Sequence, residues 1–137
     1  MALHNHRVLI VEDDGDCRVA VAELLQSRDY SVTVAEDGQV ALDQLRRGLD
    51  PCVILLDLMM PVKDGWQFRL EQLGDQALMA IPVIVMSGFG RVREAAQQLG
   101  IQDYVEKPVA PDHLFTLLER YACESAGLGA AEGQSRA

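Results

Sequence analysis

A chain of 137 residues, 49% of them hydrophobic and with mean hydropathy of +0.04, is sized for one compact domain with a real core and is too short for two. Its formal net charge of −9 and pI near 4.6 exclude the basic surface that binds nucleic acid regardless of sequence. Residues 1–7 are polar and the four-residue run Val8-Leu9-Ile10-Val11 is too short for a signal peptide or a membrane span.

In chain order, residues 8–11 predict a first strand, and Glu12-Asp13-Asp14 follow it directly. Cys17, Val21, Leu24 and Leu25 recur at i, i+4, i+7 and i+8, the stripe of an amphipathic helix, with Asp14 or Asp16 as its N-cap. Residues 31–35 predict a second strand. Leu42, Leu45 and Leu49 mark a second helix, closed by Gly48 and Pro51. Residues 52–56 are apolar without alternation, which predicts a strand buried on both faces, and Asp57 stands where the run stops. Trp66, Leu70 and Leu73 give a third helical stripe after Asp64-Gly65. Residues 82–86 predict the fourth strand and Ser87 closes it; Val92, Ala95, Ala96 and Leu99 mark a fourth helix, stopped by Gly100. Tyr104-Val105 and their flanks predict a fifth strand ending at Lys107-Pro108, and Leu114, Leu117, Leu118 and Tyr121 predict a last helix after Pro111-Asp112. Strict alternation of strand and helix, five times over, calls for an α/β fold: a five-stranded parallel sheet with helices on both faces. Residues 1–123 are read as that domain and residues 124–137, rich in Ala, Gly, Ser and Gln without periodicity, as a disordered tail.

The cysteines, Cys17, Cys52 and Cys123, are odd in number and far apart, which predicts neither a disulfide framework nor a zinc site and favours a reduced, cytoplasmic compartment. His4 and His6 lack a third ligand nearby and read as part of a solvated terminus.

In open α/β sheets ligands bind beyond the carboxyl ends of the strands, so the residues at those ends are the ones to weigh. Asp57 is either a turn cap or a reactive carboxylate. Asp14 and Asp16 fit a helix N-terminus, which favours negative charge. Glu12 and Asp13 lie at the strand end itself, and with Asp57 they bring three carboxylates to one edge. Their repulsion is relieved by a hard divalent cation, and oxygen ligands with retained waters select Mg²⁺. Ser87 and Lys107, at the ends of two further strands, add a hydroxyl and a positive charge, a set suited to a phosphoryl group on Asp57.

Val-Glu-Asp-Asp at 11–14, Asp57-x-x-Met60-Pro61-x-x-Asp64-Gly65, Ser87-Gly88 and Tyr104-x-x-Lys107-Pro108 together resemble the receiver domain of two-component response regulators, chemotaxis-regulator-like, over roughly residues 5–122. That resemblance implies a flavodoxin-like, doubly wound sheet of strand order 2-1-3-4-5. It implies that Asp57 accepts a phosphoryl group from a sensor histidine kinase or a histidine phosphotransfer protein. Asp13 and Asp57 would ligate Mg²⁺ directly, Glu12 through water, and Met59 through its backbone carbonyl. Lys107 would contact the phosphoryl group, with a cis bond to Pro108, while Ser87 and Tyr104 would be the switch residues. The resemblance further implies a single-domain switch that works by docking to other proteins, without DNA binding or membrane insertion.

Some positions depart from the family pattern. Ser87 stands for the commoner threonine, Glu12 for aspartate, and the stretch from Ser87 to Tyr104 is about two residues short, which predicts a short or displaced fourth helix. By the same resemblance, Met59 and Phe89 put apolar groups at positions that in the family line the path of the water attacking an aspartyl phosphate, predicting slow self-dephosphorylation. A phosphatase of the haloacid dehalogenase type needs an acid at position 59, which is Met. A flavin- or dinucleotide-binding module needs a glycine-rich loop where Glu12-Asp13-Asp14 stand. A pseudo-receiver, folded alike but serving only as an interaction surface, is the remaining alternative.

Overall fold

In the computed structural model, which describes residues 6–60, 62–88, 90–121 and 123, strands and helices alternate strictly. They are β1 (Arg7–Val11), α1 (Gly15–Gln26), β2 (Ser31–Ala35), α2 (Gly38–Arg46), β3 (Val53–Asp57), α3 (Gly65–Leu73), β4 (Val83–Ser87), α4 (Val92–Gln98), β5 (Asp103–Glu106) and α5 (Pro111–Glu119). All pairings are parallel and the order is β2-β1-β3-β4-β5, the predicted arrangement. The tail assigned to 124–137 lies outside the described residues, as do His4, Pro61 and Phe89.

The runs without alternation became strands buried on both faces: every residue of β3 and β4 is buried. One layer of core packs Leu9, Ile54, Leu56 and Val85 against α2, α3 and α4; the other packs Ile10, Leu55, Ile84 and Met86 against α1 and α5. The predicted stripes of α2, α4 and α5 face these layers through Leu42 and Leu45, Val92 and Ala95, and Leu114 and Leu118. Asp14 is the N-cap of α1 and its carboxylate accepts from Asp16 N. At seven residues, α4 is the shortest helix described, as the short stretch after Ser87 requires, and its N-cap Arg91 makes no side-chain cap bond.

Two expectations need correction. The stripe Trp66-Leu70-Leu73 is not the buried face of α3. Phe68 and Gln72 are fully buried there, whereas Leu70 is 72% exposed and Leu73 is also exposed. Gln72 is tolerated inside because its amide donates to Leu78 O and Ile81 O, and its own oxygen accepts from Arg69. Nor are the cysteines all free. Cys52 and Cys123 form a disulfide, Cα atoms 5.3 Å apart, that joins the amino end of β3 to the segment after α5. A 71-residue separation along the chain says nothing about distance in a sheet whose strands all start at one edge. Cys17 is the free thiol.

Between β3 and α3, Val62 is held at φ +65°. A β-branched residue in the left-handed region is strained. Asn tolerates that conformation, so Val62→Asn is expected to raise stability by about 1 kcal/mol, read as a higher urea midpoint with an unchanged slope.

Candidate functional site

The carboxyl edge of the sheet gathers β1, β3, β4 and β5 ends. Glu12 follows β1, and its backbone N–H donates to Ala35 O of β2, continuing the ladder by one residue and aligning its side chain with the end of β3. Asp57 is itself the last residue of β3, paired in register with Met86 of β4, and Ser87 is the last residue of β4, paired with Glu106 of β5. Lys107 N donates to Ser87 O at 3.0 Å, which carries the β4–β5 pairing to the residue that bears the ammonium. The Lys107-Pro108 bond is cis.

Oxygen atoms of Glu12, Asp13 and Asp57 lie within 4.8 Å of one another. Glu12 and Asp57 are buried, at 0% and 3% exposure, and Asp13 is exposed at the rim. Lys107 Nζ is 2.7 Å from Glu12 Oε1 and 3.5 Å from Asp57 Oδ2. Lys107 thus pairs with two of the three carboxylates. Burial, then the hydrogen bond and the charge of Glu12, push the Asp57 carboxyl from 3.8 up to about 7, against the opposing pull of Lys107 and of the Met59 N–H. Burial works against the Lys107 ammonium, but Glu12 and Asp57 outweigh it and its pKa is raised.

The loops that frame the cluster are tied by backbone bonds. Arg18 of α1 donates to Glu12 O at 2.9 Å and Asp13 O at 3.3 Å, fixing the turn that carries both acids. Met59 N lies 3.4 Å from Asp57 Oδ1 as its donor, while the Met59 side chain is 61% exposed. Gly65 N donates to Leu58 O, and a Cβ at Gly65 would lie 2.8 Å from Asp57 O, so only glycine lets the start of α3 come this close to the end of β3.

Thus the structure brings Glu12, Asp13, Asp57 and Lys107 into one cluster and places Ser87, fully buried, at the adjoining strand end. Tyr104 is not in the cluster. It is half-buried on β5, in register with Val85, and borders a hollow of about 490 Å³ with Arg93, Glu106 and His113. Two participants escaped the sequence reading: Arg18, which carries no motif signal, and Cys17, whose half-buried thiol is pushed up to about 11 by burial and by the neighbouring Glu12. Cys17 also lines an apolar hollow of about 240 Å³ between α1 and the turn after β5, with Ala20, Leu24, Pro108 and Val109.

The donor set fits a hard divalent cation. Three carboxylates with a single ammonium leave an excess of negative charge in a half-buried cleft, and all the candidate ligands are oxygen.

Comparison with known proteins places these residues in context. Residues 8–119 match the response regulator receiver domain family. A 14.6 kDa protein of Leptolyngbya boryana is 34% identical over 118 residues, 83% of this chain and 88% of that one. Response regulator MprA of Mycolicibacterium vanbaalenii is 35% identical over 112 residues, 79% of this chain but 46% of that one, so the chain spans under half of that longer regulator. Among solved structures, the receiver domain of a sensor histidine kinase from Pseudomonas aeruginosa, with a magnesium ion coordinated in its active-site cleft, superposes with a TM-score of 0.77 at 28% identity, covering 85% of this chain and 97% of that one. Chemotaxis protein CheY4 of Vibrio cholerae gives 0.75 at 26% identity, over 85% and 98%.

Proposed function

Because the chain belongs to the response regulator receiver family, a signalling module and not a catalytic enzyme, we propose that Asp57 accepts a phosphoryl group from a phosphohistidine on a sensor kinase or phosphotransfer protein. The observation that carries this reading is the cluster of Glu12, Asp13 and Asp57 with Lys107 as its single ammonium. In the transfer the P–N bond of the phosphohistidine breaks as an Asp57 carboxylate oxygen forms its bond to phosphorus, and the imidazole nitrogen recovers its proton from solvent. Asp13 and Asp57 would hold Mg²⁺ directly, Glu12 through a water and Met59 through its carbonyl. Bound Mg²⁺ offsets the charge of the phosphoryl oxygens. Lys107 turns from its pairing with Glu12 and Asp57 to a phosphoryl oxygen, and the Ser87 hydroxyl donates to another.

The partner approaches the strand ends across α1, where the apolar hollow offers contact area beside Lys107. Phosphorylation then biases Ser87 and Tyr104 between two arrangements and changes the surface around β5 that downstream proteins read. The protein works by such docking, and a net charge of −9 leaves this domain without the basic surface that holds nucleic acid regardless of sequence. With no polar side chain at Met59 to orient a water, the aspartyl phosphate is long-lived; Phe89, the other residue invoked for this, lies outside the described residues. None of the described helices is long and apolar enough to cross a membrane. We place the protein in the cytoplasm on the ground of its kinase partner, not of its cysteines, two of which are paired.

Incubation with acetyl phosphate and Mg²⁺ is expected to add one phosphoryl mass to the intact chain, dependent on Mg²⁺ and lost in Asp57→Asn. An unchanged mass in the parent would leave the fold as an interaction module alone.

A further inference from the structure

We infer that Gly38 and Lys63 are positioning residues for the cation site, clamping the loop between β3 and α3 that borders the three carboxylates. The inference rests on the reading that those carboxylates hold Mg²⁺. The loop is short, and Met59 within it donates toward Asp57. It is also held against its own preference, because Val62 sits at φ +65° while 78% exposed, with little packing of its own to impose that conformation. Such strain persists only where the surroundings over-determine the backbone.

The holding contacts converge on Lys63, next to Val62. Gly38, the first residue of α2, donates its N–H to Lys63 O at 3.0 Å. The contact has no room for a side chain. A Cβ at Gly38 would lie 2.6 Å from Lys63 O and 3.2 Å from Lys63 Cγ, and the first of these is backbone that moves only with the loop. The other end of Lys63 is anchored as well, its ammonium paired with Glu71 of α3. Glu71 also receives Arg46 of α2, which reaches Asp75 too, so α2 and α3 are joined around the residue they grip. Asp37 caps α2 through Val40 N, which fixes the helix end from which Gly38 presents its N–H. A methyl group at position 38 therefore pushes on the loop, not on the sheet, and the displacement falls on the Lys63 backbone and on Val62 beside it.

The test is calorimetric titration of Mg²⁺ into the full chain, parent against Gly38→Ala, with Leu118→Ala of α5 as a variant destabilised away from the loop. Gly38→Ala is expected to bind Mg²⁺ at least fivefold more weakly, with the rate of labelling by acetyl phosphate returning to within twofold of the parent at saturating Mg²⁺. Leu118→Ala is expected to lose stability and keep parental affinity. Should Gly38→Ala not fold, Lys63→Met releases the side-chain anchor and is expected to weaken binding at least twofold. Parental affinity in Gly38→Ala, or in Lys63→Met where that variant stands in, overturns the clamp alone. A parent that binds no Mg²⁺ overturns the proposed function with it.

Discussion

At pH 8, Lys107→Met is expected to cost the cation-free protein about 3 kcal/mol, read as a lower urea midpoint, because it leaves Glu12 and Asp57 buried without a counter-charge. Methionine keeps most of the volume of the side chain, so the loss is electrostatic and not a cavity. Two further measurements identify the cause. Saturating Mg²⁺ should restore most of the lost stability, since it supplies the missing charge at the same place. In an Asp57→Asn background the same substitution should cost distinctly less, because one of the two carboxylates it strands is already neutral. A cost independent of both Mg²⁺ and Asp57 would mean that Lys107 contributes through packing of its stem.

Asp57→Asn is expected to act in the opposite direction, stabilising the cation-free protein above neutral pH. The folded state raises the Asp57 carboxyl from 3.8 to about 7, so between those values it holds a proton that the unfolded chain releases. Stability therefore falls as pH rises through that window, is unaffected by this group below about 4, and carries the full penalty above about 7. A shift of this size corresponds to about 4 kcal/mol at most, and roughly 2 to 4 kcal/mol of relief raises the melting temperature of a domain this size by roughly 6 to 12 °C. At pH 4 the two proteins should melt together. If the gain were the same at pH 4 and pH 8, it would come from the amide's hydrogen bonds and not from the removed charge.

Much of this was legible in the sequence, and the reasons are specific. Strands buried on both faces announce themselves as uninterrupted apolar runs, which is why β3 and β4 were located to within a residue and why Asp57 and Ser87, ending those runs, could be placed at one edge. The acid cluster followed from that edge and from the parallel order alone. The face of α3 did not follow, because hydrophobic spacing cannot see that a glutamine is buried when carbonyls of a neighbouring loop await its amide. Spacing was also silent on Lys107, whose nearer partner is Glu12 and not Asp57; the reading of residue types put its charge at this edge but not its pairing. The disulfide was hidden for a different reason, being a contact between chain segments with no shared periodicity.

The disulfide has a practical consequence. Cys52 precedes the amino end of β3, and Asp57 closes the same strand five residues on, so the crosslink and the carboxylate are separated by about 16 Å of rigid strand. Cargo or a solid support joined beyond Cys123 is thus moored at the opposite pole from the acids. A tether at that pole leaves the acid cluster uncovered, with the strand as the spacer.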